Sequence, residues 1–503
     1  MIDQKTFWSI NPENGKLSPE ILDLYIFLAQ RGYCKRTDED QIDVFRKEDY
    51  LVEQTYTPNQ INEVTRYLKE QKDVYKLTVE FPRKGDVTFE YKPKEVLEKF
   101  VKYGWGKIFN ENNFNHLPEL QVNIKRHTRD AAFFYFKNGY VEVTKTGTKF
   151  LPYSTLGGMC IYKDYLIPRD IELLNIYDTT HQKFASRGYD FLDFMNRLAG
   201  IPEGATDKTA DTDTVNKLIY LMECMGYLLH DYKQQGLTDF GVILCDDNAG
   251  GTGKGLLVQA FRQMTSVAEL DSQKEEHFDP AELTERTRIK VYNDVEPSFN
   301  FKSVYNQITD QAVIRHMHKN PRYIPYTDAW KVLFTSNHVI RGNTGADLRR
   351  QRVFLVNQFF NDNFTPRDRY KHSFFSTDWT ERDWSFFYNI MFECVRAWLN
   401  CDYKLKYADQ EFAQMKLEEE YPAAFRSYID ELIESLVSGT STFKMSELYY
   451  NFKEHDKYRL EPFVRKLNTN FFGRLLTRYL TDMKVVWGKN AKRTEMWITK
   501  PKK

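Results

Sequence analysis

Apolar positions recur at helical spacing twice in the first 110 residues, over 21–33 (ILDLYIFLAQRGY) and 59–71 (NQINEVTRYLKEQ), amid mixed charge. The pattern changes at 131–136, a short apolar run, AAFFYF. Asn138-Gly139 then predicts a tight hairpin turn with Tyr140–Val143 as the returning strand, and KFLPYSTL follows Thr146-Gly147. Helical spacing returns over 188–200 and 212–234, the second with apolar residues at 218, 219, 221, 222, 225, 228 and 229 on one broad face. Between them lies a polar loop in which Asp211 reads as a helix cap rather than as half of a metal-binding pair with Asp213. From 240 strands alternate with helices. FGVILC (240–245) is apolar throughout, as a strand buried on both faces requires; GLLVQAF (255–261) reads as the helix after it, and 288–294, 331–337 and 352–359 as further strands. Helical patterns follow at 383–402 and 411–435, then a tail of short helices and two strands around KNAKR.

These shifts divide the 503 residues into an α+β region (1–129), a small β-rich module (130–175), a helical segment (176–237), an α/β core (238–365), a second helical segment (366–420) and a basic tail (421–503). The hydrophobic fraction of 41% fits a globular chain, and no apolar run is long enough to span a bilayer, so no membrane partner is expected. Six Cys are scattered without metal-ligand or disulfide-framework spacing, which predicts buried thiols in a reducing, cytoplasmic setting.

Chemistry concentrates in the core. Asn248-Ala249-Gly250-Gly251-Thr252-Gly253-Lys254-Gly255 joins an apolar strand to a helix, the setting of a phosphate-binding loop. Small residues let backbone N–H groups turn inward toward phosphate oxygens, the helix N-terminus adds partial positive charge, and Lys254 is placed to bridge the β- and γ-phosphates. ATP and Mg²⁺ are the expected ligands. Two positions depart from G-x-x-x-x-G-K-[ST]: Asn248 stands where the first Gly belongs, and Gly255 where a hydroxyl would hold Mg²⁺. Downstream, Asp294 ends a strand and is the candidate metal-site residue or base; Glu296 is a candidate for orienting water; Asn337 ends another strand and can bond the γ-phosphate. Arg349 and Arg350, beside Arg352, suit an arginine finger and are not ranked by sequence. Between them, RHMHKNPRYIPY (315–326) is a basic segment around an Asn320-Pro321 turn. Arg315, His318, Lys319, Arg322 and Tyr323 there are candidates for a single-stranded nucleic-acid backbone; His316 and His318 lack a nearby third metal ligand.

Together GGTGKG (250–255), VYNDVE (291–296), ITDQAVIRHMHKNPRYI (308–324), LFTSN (333–337) and ADLRRQR (346–352) resemble, in order, the Walker A, Walker B, B-prime hairpin, motif C and arginine-finger segments of superfamily 3 helicases of phages, viruses and mobile elements. FFYFKNGYVEVTKTGTKFLPY (133–153) is similar to the region preceding the ATPase in primase–helicases of phage and poxvirus type. The resemblance implies an AAA+-like P-loop core at 238–365, a homo-oligomeric ring, expected to be a hexamer, and ATP-driven 3′-to-5′ translocation on single-stranded DNA during replication in a host cytosol. A replication-initiation ATPase acting as a switch, without strong unwinding, is the alternative. No primase metal motif is present.

Charge supplies the last element. Lys plus Arg equals Asp plus Glu, 71 each, a balance that taken alone argues against nucleic acid. Residues 441–503, however, hold 15 basic against 6 acidic residues, a surplus of nine that the other 440 residues offset. The tail resembles a winged helix, with 465–480 as the expected recognition helix and Lys489, Lys492 and Arg493 in the wing, able to meet origin duplex DNA.

Overall fold

The computed structural model describes residues 6–38, 41–81, 85–176, 187–204, 210–246, 250–271, 279–296, 299–317, 320–340, 345–405, 421–436 and 439–499. The chain forms two compact units: Met1–Asn175 with Gln263–Ser266 and Thr380–Asn389, and Ile176–Arg262 with Val267–Trp379 and Ile390–Lys503.

In the first unit both expected helices form, as Ile21–Gln30 and Thr57–Glu70. Strands that the sequence did not signal accompany them. Tyr33–Asp38, Gln41–Glu48 and Leu51–Thr55 pair antiparallel, and Ile161–Tyr162 joins this sheet in parallel, with Ile161 opposite Leu51. The β-rich module is therefore hydrogen-bonded to the N-terminal strands, and the expected boundary at 129/130 falls inside one unit. Its hairpin turns one residue earlier than expected. Phe136 pairs with Gly139, so Lys137-Asn138 makes the turn. The Asn138 side chain is instead used for tethering: it accepts from the Ile171 N–H at 3.1 Å and donates to the Ile171 carbonyl at 3.0 Å.

The second unit is organised by a five-stranded parallel sheet in the order Val267–Asp271, Ile289–Asn293, Lys331–Ser336, Gly241–Cys245, Gln351–Leu355. The apolar run Gly241–Cys245 and the mixed strand Lys331–Ser336 are buried along their whole length, as interior parallel strands must be. Ile243, Trp330, Val332 and Phe334 lie in one core, each large side chain worth about 1.5–3 kcal/mol on burial. The edge strand Val267–Asp271 had no sequence signal, because VAELD is short and mixed. The last strand stops at Leu355, short of the expected 359.

The helix before the sheet, Thr212–Leu229, ends at the last apolar position of its pattern, short of the expected 234. Asp211 caps it, accepting from the Asp213 and Thr214 N–H groups at 3.0 Å each. At the other end Lys331 Nζ donates to the carbonyls of Tyr227, at 2.6 Å, and His230, satisfying groups that a helix C-terminus leaves open. Burial pushes the Lys331 ammonium well below the usual lysine range. Tyr227 Oη donates to the carbonyl of Phe240 at 2.6 Å, tying the helix to the start of the strand that precedes the phosphate loop. Gly226 permits close approach of the helix Glu381–Asn400: a Cβ there would lie 2.0 Å from the Cys394 carbonyl.

The tail has its own core, including Phe425, Phe452, Phe472, Leu476 and Ile498. Its order is helix Ala423–Ser435, strand Thr440–Lys444, helices Met445–Lys453, Pro462–Lys466 and Thr469–Asp482, and strands Val486–Lys489 and Glu495–Thr499. Glu495–Thr499 is the middle strand of an antiparallel sheet. The expected 465–480 helix is divided at 467–468, where Asn468 accepts from the Phe471 N–H at 2.9 Å and caps a new helix. Residues 411–420 of the expected 411–435 helix lie outside the described residues. Cys34, Cys160, Cys224, Cys245 and Cys394 are buried free thiols and Cys401 is partly buried. Among the described residues no helix is long and apolar enough to cross a membrane.

Candidate functional site

The interior strand Gly241–Cys245 delivers Asp246 to the C-terminal edge of the parallel sheet. Asn248 lies outside the described residues. The chain resumes at Gly250 and enters the helix Lys254–Arg262. Gly250, Gly251 and Gly253 have φ of +56°, +63° and +103°. At Gly251 a Cβ would come 2.6 Å from Asp362 Oδ1, and at Gly253 2.8 Å from the Phe194 ring, so conformation and space both demand glycine. Gly255 differs: it is exposed, and a Cβ would meet nothing within 4 Å.

Strand register brings the next residues to this loop. Cys245 pairs with Ser336, placing Asp246 and Asn337 side by side. Tyr292 pairs with Phe334, leaving Asp294 beside the same strand end. A polar relay results. Lys254 Nζ donates to Asn337 Oδ1 at 2.6 Å, and Asn337 Nδ2 donates to Asp294 Oδ1 at 3.2 Å. Lys254 also forms an ion pair with Asp246, whose Oδ2 accepts from Thr252 Oγ1 at 2.6 Å. Asp294 takes a φ of +51°, uncommon for a residue with a Cβ. Thr335 holds it there: its Oγ1 accepts from the Asp294 N–H at 2.9 Å and donates to Asn293 Oδ1 at 2.7 Å. Exposed Glu296 follows.

Asp246 and Thr335 were not singled out in the sequence. An acid ending an apolar strand just before a Gly-rich turn was the available signal for Asp246, but adjacent Asp247 leaves it ambiguous which carboxylate faces inward. Nothing local marked Thr335.

The arginines lie at the other edge of the sheet. Arg349 and Arg350 end the helix Gly345–Arg350, directly before Gln351, which pairs with Gly241 at the start of the strand Gly241–Cys245. A five-residue strand, about 16 Å long at 3.3 Å per residue, separates that end from the loop. Arg350 lies over the Tyr305 ring, 4.6 Å from its centroid, whereas Arg349 is exposed.

The basic segment is a hairpin of Ala312–Ile314 and Arg322–Ile324. His318 and Lys319 lie outside the described residues. Arg315 is exposed, with its N–H bonded to Asp279 Oδ2 at 2.9 Å. Arg322 forms an ion pair with Glu285 at 3.4 Å, while Tyr323 is 53% exposed. In the tail, Lys492 and Arg493 are exposed at the turn and Lys489 is half-buried near the Trp487 ring. Asn490 orders this turn, accepting from the Thr494 N–H at 2.9 Å.

No protein-family model matches the sequence, and no curated protein matches it. Among solved structures the chain is similar to the C-terminal region of NrS-1: one apo structure at 11% identity, covering 95% of this chain and 99% of that one with a TM-score of 0.42. Another matches at 12% identity, 96% and 99% coverage and a TM-score of 0.40.

Chemically, a bare glycine backbone, a helix N-terminus and an ammonium suit a polyphosphate. Among the described residues no group of three or more His, Cys, Asp or Glu side chains could hold a metal ion. Mg²⁺ does not require one, since it is commonly held by one or two carboxylates, water and substrate phosphates. Asp294 meets that lesser demand.

Proposed function

We propose that this chain is an ATP-hydrolysing DNA helicase of superfamily 3 type, acting in the replication of a phage, virus or mobile element as a ring on single-stranded DNA. The relay Lys254–Asn337–Asp294 carries this reading. It links the phosphate-loop lysine, a polar amide and a carboxylate at the ends of adjacent parallel strands.

In this mechanism the N–H groups of 250–255 and the Lys254 ammonium bind the β- and γ-phosphates. Asn337 bridges lysine and carboxylate, so that a change at the γ-phosphate is felt at Asp294. Asp294, through water, would hold Mg²⁺, which neutralises phosphate charge when bound. Glu296 orients the attacking water. The distance between the arginines and their own loop supports action on a neighbouring copy, and exposure favours Arg349 over Arg350. Hydrolysis would move the 312–324 hairpin along a phosphate backbone, and the order of helices and strands in the tail supports its reading as a winged helix for duplex DNA.

Gly255 favours a second reading, in which ATP works an assembly switch at replication initiation and turnover is weak. The decisive experiment measures ATP hydrolysis, strand displacement and molecular size with and without single-stranded DNA. DNA-stimulated hydrolysis that Lys254→Ala abolishes is expected, together with a nucleotide-dependent ring. Full hydrolysis by Lys254→Ala would sink the site assignment; hydrolysis without strand displacement would favour the switch.

A further inference from the structure

The relay leaves one strong contact without a role. Asp246 is fully buried. Its Oδ2 receives both the Lys254 ammonium and the Thr252 hydroxyl, and its Oδ1 has no hydrogen-bond partner among the described residues. A buried carboxylate with an oxygen left unsatisfied depends heavily on its counter-ion. Here that counter-ion is the cation expected to meet phosphate. Of the three N–H bonds of an ammonium, Asp246 and Asn337 each accept one.

We propose that Asp246 is a positioning residue that competes with phosphate for Lys254 and so sets the loop's affinity and its preference among nucleotides. The proposal rests on reading 250–255 as a nucleotide-phosphate site. The carboxylate aims the lysine across the strand ends toward Asn337. At the same time it neutralises the cation and opposes an arriving polyphosphate with its own charge. Such opposition grows with ligand charge, so Asp246 weakens ATP more than ADP and ADP more than AMP. Product release would thereby be assisted at the step where lysine returns to Asp246.

The test uses the full chain with fluorescent analogues of ATP, ADP and AMP, titrated against wild type, Asp246→Asn and Lys254→Ala. Asp246→Asn keeps the shape of the side chain and removes its charge. Its expected result is ATP binding tighter by about tenfold, a factor equivalent to 1.4 kcal/mol, with a smaller gain for ADP and the least for AMP. Equal or weaker ATP binding by an Asp246→Asn protein that melts cooperatively would overturn the proposal, as would an equal gain for all three ligands. Should Asp246→Asn misfold, Asp246→Glu, whose longer arm disturbs the lysine but keeps the charge, takes its place; it is expected to bind ATP no tighter than wild type, and a gain of about tenfold there would overturn the proposal too. If instead wild type and Lys254→Ala bind ATP alike, the phosphate-site reading itself fails. Binding by wild type but not by Lys254→Ala, with no gain from Asp246→Asn, removes only the role of Asp246.

Discussion

The 312–324 hairpin and the terminal 486–499 hairpin both carry cations at a turn, but their electrostatic surroundings differ. In the first, Arg322 is paired with Glu285, the Arg315 N–H is held by Asp279, and His316 Nε2 lies 3.0 Å from the Leu283 carbonyl. The acidic body of the chain thus supplies an ion-pair partner for Arg322, while Arg315 meets Asp279 only through its backbone N–H and keeps an exposed side chain. In the second, Lys492 and Arg493 are exposed and have no ion-pair partner among the described residues. Residues 441–503, which include it, hold 15 basic against 6 acidic residues. An arginine is therefore neutralised at Arg322 and available at Arg493. A count of Lys and Arg along a segment does not measure its phosphate affinity; the acids that fold against it must be subtracted.

If the proposed DNA function holds, the largest effect belongs to the tail. Lys492→Glu with Arg493→Glu should weaken duplex binding by about a hundredfold at low salt, and flatten the dependence of log affinity on log salt by about two, because each phosphate contact contributes a slope near 0.9. Anisotropy titrations over a range of salt check both. An unchanged slope would show that the wing does not touch phosphate. Arg493 has a φ of +55°, so Arg493→Gly removes charge while relieving the backbone, and provides a variant whose loss of binding is not a loss of folding.

A smaller effect is expected at Tyr323. It is the exposed aromatic of the internal hairpin, and base stacking is worth about 1–3 kcal/mol by alanine substitution. Tyr323→Ala should lower single-strand affinity by about fivefold, near the low end of that range, and leave duplex binding by the tail intact. Tyr323→Trp should restore it. Equal losses on both substrates would remove the division of labour between the hairpins.

How far the sequence foretold these sites depended on whether the signal was local. The loop lies between an apolar strand and a helix within fifteen residues, so its position was readable, as were Asn337 and Asp294 at strand ends. Asp246 acquires meaning only when Lys254 folds back onto it across the loop. The order of the arginines needed the strand register that separates them from the loop and the Tyr305 ring that covers Arg350. In the N-terminal region, Leu51–Thr55 is completed by Ile161–Tyr162 more than a hundred residues later, a pairing that no local alternation encodes. The neutral charge total concealed the most informative division of all, since it sums two regions with opposite surpluses.

The finest prediction addresses the partner of the internal hairpin. Glu285 lies between two guanidinium groups, 3.4 Å from Arg322 and 3.6 Å from Arg286. Both side chains of the Arg322 pair are largely shielded from water, so Glu285 screens that cation more effectively than salt in solution would. Glu285→Gln retains hydrogen-bonding capacity but removes the charge. It should raise single-strand affinity by about threefold, less than the tenfold that 1.4 kcal/mol represents, while lowering thermal stability slightly through the lost ion pairs. Combining it with Arg322→Gln separates the causes. Should the gain come from a released Arg322, it vanishes in the double variant; should it come from lower overall acidity, it persists. A gain that persists would mean that the hairpin differs from the tail by more than its neighbouring acids, and that Arg322 serves the fold and not the strand.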